Sequence, residues 1–304
     1  MSNTLLHISS AGRSGSTLLG MALNAHPSIF YGGEISSLWN DAPSEALCSC
    51  GETLTECPIW KAAIAAALSG MGPDGATRAR ELRDDAIRFK SPGGSRRASA
   101  AAGAAAYREM TGKLYQSLAS STRARVLVDS SQHIAHTLLT SELPEIAPRI
   151  IHLVRDPRAV VYSWSRARKW PTRNGGIMLQ RGALTAIRGW VTHNLKLMGH
   201  LSRSRVPHLL LRYEDFAEQP AEIAQRVRMF IGEDAGAPGG SEVMVGETHI
   251  VRANPLRFHR GPLTITPDDE WMTALSPRVK LVVTVLTYPL LRRFGYVARV
   301  TQPV

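Results

Sequence analysis

The 304 residues are 44% hydrophobic and 20% charged, which is ordinary for a globular chain with a sizeable core and excludes a disordered or fibrous protein. Lysine and arginine total 36 against 25 acidic residues, a net charge of +11, and 30 of the 36 are arginine. This excess predicts an anionic partner, namely nucleic acid, a membrane surface or a phosphorylated small molecule, although a GC-rich genome would also raise arginine and alanine together.

The two ends of the chain predict a cytoplasmic protein without a membrane span. Residues 1–8 contain neither a basic region nor an apolar run of secretory type. The longest apolar stretch lies between Lys280 and Arg292, contains Pro289, and is too short to cross a bilayer.

The order of the predicted elements favours an α/β fold. Short apolar and β-branched runs predict buried strands at 4–10, 29–31, 126–129, 150–154 and 209–213. Helices are predicted at 18–23, across most of 58–120, after Pro157, at 220–231, and from Pro277, which Ser276 precedes as an N-cap. This alternation indicates a parallel sheet within a single domain over residues 1–304.

Two segments interrupt this alternation. Residues 58–120 are rich in Ala, Arg and Glu and predict a helical insert that serves as a scaffold or lid, with a loop at 91–95. Residues 236–268 are rich in Pro and Gly and predict a loop-rich segment.

All three cysteines lie within ten residues, as Cys48, Cys50 and Cys57. An odd, clustered count does not suit a disulfide framework. A compact structural turn is the favoured interpretation. A redox pair and a zinc site completed by a histidine stay open, although the spacing matches no common zinc module.

A first anion site is predicted where the first strand meets the first helix. Residues 12–17 read GRSGST, so Gly12 and Gly15 permit a tight turn while Ser14, Ser16 and Thr17 supply hydroxyl donors. Free backbone N–H groups and the helix dipole favour a phosphate or sulfate at such a turn. The sequence is neither a nucleotide-triphosphatase P-loop nor a dinucleotide fingerprint, and a packed turn without a ligand is the alternative.

A second anion site is predicted at the end of the strand over 150–154. Arg155 follows this strand directly, so we expect it at the same sheet edge as the first loop. Ser163 comes about two turns into the next helix, while Asp156 either orients an arginine or caps that helix. A purely structural Arg–Asp pair is the alternative.

The two motifs together resemble the sulfotransferases that use 3′-phosphoadenosine 5′-phosphosulfate (PAPS). The resemblance rests on residues 12–19 (GRSGSTLL), 26–27 (HP), 33–34 (GE) and 153–159 (LVRDPRA) with Ser163, and extends to 128–131 (VDSS), 211–215 (LRYED) and 249–261. It implies a P-loop-like three-layer sandwich with a central parallel sheet. The motifs resemble those of the bacterial, carbohydrate and tyrosyl-protein members more closely than those of the enzymes that act on small phenols.

The resemblance also implies roles for individual residues. The 5′-phosphosulfate would be held by Arg13, Ser14, Gly15, Ser16 and Thr17. The 3′-phosphate would be held by Arg155 and Ser163, with Tyr213 near the adenine. Arg257, Arg260 and Gly261, in the segment over 236–268, would cover the nucleotide.

Glu34 and Arg13 are the predicted catalytic residues. Glu34 matches the carboxylate that acts as base in the carbohydrate and tyrosyl-protein branches, and a capping carboxylate is the alternative. His133 is the second candidate for the base. Many members carry lysine where this chain has Arg13, and some carry lysine where it has Gln132. No metal is expected, because cations and backbone donors suffice to hold the leaving group.

Two other classes of function remain as alternatives. A nucleotide kinase would need a Lys-Ser/Thr loop, which is missing, and an acidic strand end, for which Asp129 is the candidate. A nucleic-acid binder would need interleaved basic and aromatic residues, which Trp164 and Trp170 resemble superficially; a helix continuing past residue 165 with a basic face is preferred.

The expected partner is therefore a small-molecule, glycan or lipid-linked acceptor, and not a nucleic acid. Contact with a membrane through the last helix is less favoured than packing of that helix in the core. The sequence leaves the acceptor and the oligomeric state open.

Overall fold

The five predicted strands form one parallel sheet in a computed structural model that describes residues 3–40, 43, 45–89, 98–167, 179–234 and 242–297. The strands are β1 (Asn3–Ser10), β2 (Ile29–Gly33), β3 (Val126–Asp129), β4 (Ile146–Val154) and β5 (His208–Arg212). Their order is β2-β3-β1-β4-β5. Ser10 pairs with Leu153, so the residues that follow β1 and β4 begin side by side at one edge of the sheet.

Eleven helices are present among the described residues. They are α1 (Ser16–Leu23), α2 (Pro58–Ala67), α3 (Gly75–Phe89), α4 (Ala98–Thr122), α5 (Ile134–Thr140), α6 (Pro157–Ser165), α7 (Ala183–Leu201), α8 (Tyr213–Glu218), α9 (Pro220–Ile231), α10 (Glu270–Ala274) and α11 (Pro277–Arg293). There are also two short 3-10 helices. One, Ile35–Trp39, comes just after β2, and the other, Pro255–Phe258, begins after its N-cap Asn254.

Helices cover both faces of the sheet because successive strand residues point to opposite sides. Leu5 packs in one cluster with Trp60 of α2 and Leu114 of α4. Its neighbour Leu6 packs in another with Leu19 of α1, alongside residues of α9. This arrangement of helix, sheet and helix layers confirms the predicted α/β class with a central parallel sheet.

Residues 58–120 contribute a layer of this sandwich. The helices α2 and α3 both pack against α4, and all three share a core cluster with residues of the sheet. The predicted loop at 91–95 lies outside the described residues.

Three local predictions needed correction. The last strand of the sheet ends at Arg212, and Tyr213 begins α8. The segment predicted as loop-rich contains a small antiparallel hairpin of β6 (Glu242–Val245) and β7 (Gly261–Thr264). The helix after Pro157 ends at Ser165, and Trp170 lies outside the described residues. The expected start of the last helix is confirmed, because Ser276 accepts a hydrogen bond from Val279 N at 3.4 Å.

Among the described residues, every helix is too short or too polar to traverse a lipid bilayer.

Candidate active site

The turn after β1 is held open by its backbone conformation. Arg13 and Gly15 both have positive φ, 71° and 89°, and Gly15 is the N-cap of α1. The hydrogen bond from Leu19 N to Gly15 O begins the helix. The remaining N–H groups of the first helical turn therefore face the mouth of the loop, as the sequence predicted.

Two aromatic rings lie against this turn. A Cβ atom at Gly12 would stand 2.9 Å from the Trp164 ring, and one at Gly15 would stand 2.3 Å from the Tyr213 ring. Both positions thus require glycine for space, and Gly15 requires it for backbone conformation as well. Trp164 also stacks under the guanidinium of Arg13, at 4.9 Å from the ring centre. The loop is consequently fixed from two sides.

The hydroxyl groups of the loop have different environments. Ser14 is 1% exposed, and its Oγ has no hydrogen-bond partner among the described residues. Thr17 Oγ1 accepts a hydrogen bond from Asn254 N at 3.2 Å, which ties α1 to the segment before β7. Ser16 is buried beside them. A buried hydroxyl without a partner costs free energy, so Ser14 is suited to bind a ligand.

Arg155 joins the second motif to the first. Its Nη1 donates to the carbonyl oxygen of Arg13 at 3.1 Å, and its Nη2 lies 2.8 Å from Asp268 Oδ2. The guanidinium stacks on Tyr213, 4.4 Å from the ring centre, while Trp190 Nε1 donates to the Arg155 carbonyl at 3.0 Å. Nε of Arg155 is buried without a partner among the described residues.

The helix that follows Arg155 is firmly anchored. Asp156 caps α6 by accepting from Arg158 N at 2.8 Å, and it also pairs with the Arg158 guanidinium. The backbone N–H of Asp156 donates to Glu214 at 3.0 Å. Ser163 is buried two turns along this helix. Asp156 therefore caps the helix and orients Arg158, rather than Arg155.

Arg257 and Arg260 both bind residues of the segment over 248–251. Arg257 is buried, donates to the carbonyls of Ile250 and Val251, and stacks on Phe258. Arg260 donates to Ser49 O at 2.5 Å and to Thr248 Oγ1 at 3.2 Å. Gly261 begins β7 with a φ of 88°. The described contacts of both arginines are thus with the 248–251 segment and the cysteine turn, and not with Arg155.

Glu34 occupies the end of β2 in a half-buried position. Its backbone N–H donates to Arg252 O at 2.6 Å. Burial raises the pKa of Glu34 to about 7, with the charge of Arg252 opposing the shift and that of Asp129 adding to it. A carboxyl group with such a pKa can accept a proton near neutral pH.

Asp129 is fully engaged within the protein. Its Oδ1 accepts from Ser131 N at 2.7 Å, and its Oδ2 lies 2.6 Å from Tyr115 Oη and 2.8 Å from His136 Nε2. Burial alone would raise the pKa of Asp129, but the charge and hydrogen bond of His136, supported by His7 and Ser131, hold it well below its usual range. Asp129 is completely buried and has no free oxygen to offer to a metal.

A cavity of about 430 Å³ is lined in part by Gln132, whose side chain reaches Glu34. Its wall includes Gln132, His133, Arg181, Arg188, Thr192 and Lys196. Gln132 Nε2 lies 3.5 Å from Glu34 Oε1 and 3.2 Å from Ser130 O. Desolvation, together with the nearby His136 and Arg83, lowers the pKa of His133 from its usual range. His133 therefore lines this polar cleft, and Glu34 lies behind Gln132 at its edge.

Sequence reasoning missed three residues that shape the site. Asp268 pairs with Arg155, Asn254 binds Thr17, and Trp164 lies against the glycine turn. Asp268 and Asn254 come from parts of the chain far from their partners; Asn254 lies within the stretch 249–261 that carries the resemblance, but nothing in that stretch indicates its contact with Thr17. Trp164, directly after Ser163, was considered only as part of a basic face.

Comparison with known proteins gives consistent similarities. Residues 4–248 match the sulfotransferase domain family model. Over 164 residues the chain is 29% identical to carbohydrate sulfotransferase 3 of Tetronarce californica, covering 49% of this chain and 36% of that protein. Over 107 residues it is 33% identical to carbohydrate sulfotransferase 5 of Mus musculus, covering 29% of this chain and 26% of that protein. The matches thus span about a third or less of these curated relatives.

Two solved structures share the fold. One is the sulfotransferase domain from the curacin biosynthetic pathway, with a TM-score of 0.54 at 19% identity, covering 95% of this chain and 97% of that one. The other is the sulfotransferase domain from the Synechococcus PCC 7002 olefin synthase, with a TM-score of 0.55 at 21% identity, covering 98% and 96%. At these identities the likeness concerns the fold alone.

Proposed function

Since the chain belongs to the sulfotransferase domain family, we propose that it binds PAPS and transfers the sulfuryl group to a hydroxyl of a polar acceptor. The observation that carries this proposal is the hydrogen bond from Arg155 to the Arg13 carbonyl. It joins two anion-binding motifs, 142 residues apart in sequence, at one edge of the sheet. A donor with a phosphosulfate at one end and a 3′-phosphate at the other requires two such motifs.

The residues of the first loop suit the 5′-phosphosulfate. The N-terminus of α1 offers backbone donors, Arg13 adds a permanent charge, and the unpartnered Ser14 hydroxyl can donate to an anionic oxygen. Gly15, Ser16 and Thr17 complete this proposed cradle.

Arg155 and Ser163 suit the 3′-phosphate. The Arg155 side chain is held by Asp268 and Tyr213 before any ligand binds, so little conformational entropy is lost on binding. Its Nε remains unpartnered among the described residues. Tyr213, which packs on both the loop and Arg155, would lie on the adenosine side.

In the proposed reaction, the acceptor oxygen forms a bond to sulfur while the bond from sulfur to the phosphate oxygen breaks. The sulfated acceptor and 3′,5′-adenosine bisphosphate (PAP) are the products, and the acceptor proton passes to Glu34. Arg13 and the α1 N-terminus stabilise the charge that develops on the leaving phosphate. Catalysis is then mostly positioning and electrostatics, for which the rigid loop is suited.

The pKa of Glu34 supports its role as the base. A carboxylate with a pKa of about 7 is a much stronger base than one with an ordinary pKa, yet it is about half ionised at neutral pH. His133, which lines the adjacent cleft, is the alternative base.

The cavity beside Glu34 supports a polar acceptor. The amide, hydroxyl and cationic groups that line the cavity suit a carbohydrate acceptor. A saccharide with an anionic group would fit better still, because that group could pair with Arg181, Arg188 or Lys196. The named activity of both curated relatives, carbohydrate sulfation, points in the same direction.

Arg257 and Arg260 fit this function through the backbone that they hold. Arg257 donates to the carbonyls of Ile250 and Val251, and the next residue, Arg252, accepts the N–H of Glu34. We therefore propose that Arg257 supports the position of the base. Gly261 begins β7 and Arg260 directly precedes it. Both remain candidates for covering the nucleotide.

The kinase alternative is weakened by Asp129, since all its described hydrogen bonds are made within the protein. The nucleic-acid alternative is weakened by Trp164, because its ring already stacks with the guanidinium groups of Arg13 and Arg181 and lies against Gly12.

Calorimetry with PAP and with ATP–Mg²⁺ tests the proposal directly. We expect PAP to bind and ATP–Mg²⁺ to bind far more weakly, because ATP lacks the 3′-phosphate. Binding of ATP–Mg²⁺ without binding of PAP would replace the sulfotransferase proposal by a kinase. A panel of neutral and anionic saccharides with PAPS then tests the acceptor class.

A further inference from the structure

The fold brings the three cysteines to a histidine from a distant part of the chain. Cys57 Sγ lies 3.6 Å from Cys48 Sγ and 3.3 Å from His249 Nδ1, and Cys48 Sγ lies 3.9 Å from the same nitrogen. The sulfur atoms of Cys48, Cys50 and Cys57 and one ring nitrogen of His249 all lie within 4.8 Å of one another. The sequence left a fourth ligand open, and His249 supplies it.

The backbone around this cluster is built to hold it. Cys48 N donates to Glu52 O at 2.9 Å and Gly51 N donates to Cys48 O at 3.0 Å, which closes a tight turn around Cys50. Gly51 has a φ of 102°, a conformation that favours glycine. Cys57 is the N-cap of α2, so the helix dipole stabilises a thiolate at this position.

Two further side chains fix the segment around His249 against the cysteine turn. Ser49 Oγ donates to Thr248 O at 2.7 Å and accepts from Ile250 N at 2.7 Å. Trp60 Nε1 donates to His249 O at 2.8 Å. His249 is thereby held in place on both sides by bonds to its own and its neighbours' backbone.

The geometry matches the requirements of zinc. Bond lengths of about 2.3 Å to sulfur and about 2.0 Å to nitrogen in a tetrahedron place ligand atoms about 3.5–3.8 Å apart. The measured separations of 3.3, 3.6 and 3.9 Å bracket this range. A histidine that binds a metal through Nδ1 commonly has a carboxylate near its other ring nitrogen. Here Glu247 Oε1 lies 3.9 Å from His249 Nε2. Cys48 and Cys57 are completely buried, as expected of a closed structural site.

We propose that Cys48, Cys50, Cys57 and His249 bind one Zn²⁺ ion as a structural site. Three thiolates and one imidazole make a closed tetrahedral set without an open position for a substrate. This proposal replaces the expectation that the chain holds no metal, while leaving the transfer reaction itself without one. It does not depend on the proposed function.

The site would fix the segment that holds the candidate base. Two residues shortly after His249 bind the end of β2. Val251 N donates to Gly32 O at 2.9 Å, and Arg252 O accepts from Glu34 N at 2.6 Å. The cysteine turn contacts the same segment through Arg260, which donates to Ser49 O. Loss of the metal would therefore loosen the end of β2 as well as the cysteine turn.

Metal analysis of the full-length protein, purified without chelator and without a metal-affinity tag, tests the proposal. We expect one equivalent of zinc per chain, which 4-(2-pyridylazo)resorcinol captures only after a mercurial reagent modifies the thiols. His249→Asn should lower the zinc content well below one equivalent. The matched control His259→Asn should retain it, because the side chain of His259 is directed away from the cysteines: its Nε2–H donates to Pro262 O at 2.9 Å.

A second measurement does not depend on the folding of a variant. The wild-type protein, stripped with 1,10-phenanthroline and reloaded with Co²⁺, should give the intense visible absorption of a tetrahedral cobalt–thiolate site. Its Tm should fall on stripping and recover on reloading with Zn²⁺. Protein that lacks zinc as purified, gives no such cobalt spectrum and shows an unchanged Tm with added Zn²⁺ would overturn the proposal.

The redox alternative gives a different result. A disulfide between Cys48 and Cys57, detected by mass spectrometry of the non-reduced native protein, together with one titratable thiol, would overturn the zinc proposal in favour of a redox pair. Three thiols that titrate only after denaturation and release of zinc would support the metal site.

Discussion

The guanidinium of Arg155 donates a hydrogen bond to the backbone carbonyl of Arg13, at 3.1 Å. Arg155 follows β4 and Arg13 follows the adjacent strand β1, so the parallel register brings them together. The same guanidinium is stacked on Tyr213 and paired with Asp268. One side chain therefore shapes the first loop and is also the one that we propose to bind the 3′-phosphate.

Replacement of Arg155 should affect nucleotides that carry a 3′-phosphate most. In Arg155→Gln we expect the affinity for PAP to fall about 10- to 100-fold, since hydrogen bonds to charged groups contribute about 1.5–3 kcal/mol. The affinity for 5′-AMP should change much less. Calorimetry with both nucleotides measures the difference, and Arg226→Gln, on an exposed position of α9, controls for the loss of one positive charge. An equal loss for both nucleotides would assign Arg155 to loop support alone.

Ser14 should contribute to binding and not to stability. Its buried Oγ lacks a partner among the described residues, so Ser14→Ala removes an unsatisfied group and should leave the free energy of unfolding unchanged or slightly higher. The affinity for PAP should fall about 10-fold, because a hydrogen bond to a charged phosphate oxygen is lost. Urea unfolding and calorimetry on the same preparation separate the two effects. A loss of stability with unchanged affinity would contradict the assignment.

The sequence was sufficient to predict the parts of the site that are local in the chain. Arg155 could be assigned to the edge beside the first loop because the carboxyl ends of parallel strands share an edge, and the glycine turn carries its own conformational signal. The fold class followed in the same way, from the alternation of strand and helix.

The missing parts depend on contacts between distant residues. Asp268 is 113 residues from Arg155, and His249 is 192 residues from Cys57. No pattern near Asp268 or His249 indicates such partners. Arg257 was assigned to the nucleotide by resemblance, but burial and the carbonyls of Ile250 and Val251 determine the position of its guanidinium.

Alanine at Gly15 should be more damaging than alanine at another glycine of similar conformation. Gly15 and Gly232 have φ values of 89° and 80°, but only the added Cβ at Gly15 meets a neighbour, the Tyr213 ring at 2.3 Å. Gly232→Ala should cost about 1–2 kcal/mol for the backbone conformation alone. Gly15→Ala should cost clearly more in urea unfolding and should also weaken PAP binding.

A double variant tests the cause of this difference. In a Tyr213→Ala background the excess cost of Gly15→Ala over Gly232→Ala should shrink, because the clashing ring is absent. An undiminished excess would show that the Tyr213 ring is not responsible.

Removal of the Glu34 carboxylate should abolish turnover and preserve binding of the donor. The pKa of about 7 predicts that kcat/KM rises with pH, with its midpoint near pH 7, and levels off above it, because only the deprotonated form accepts the proton. Glu34→Gln should lower kcat about 10²- to 10⁴-fold with little change in PAP affinity. His133→Asn serves as the matched control in the adjacent cleft. If His133→Asn removes activity while Glu34→Gln retains it, the roles of the two residues are reversed.

The same carboxyl group should give a pH-dependent effect on stability that does not require any substrate. Its pKa is raised from 4.5 unfolded to about 7 folded, mainly by burial, so the folded state binds more protons than the unfolded state between these values. Stability from this group is therefore fully present below pH 4.5 and is lost as the pH rises through 7, by at most about 3 kcal/mol. Glu34→Gln removes this loss, so the variant should gain stability relative to wild type between pH 5 and pH 8. Urea unfolding of both proteins across this range measures the gain, and a difference that is constant with pH would mean that the pKa of Glu34 is not raised.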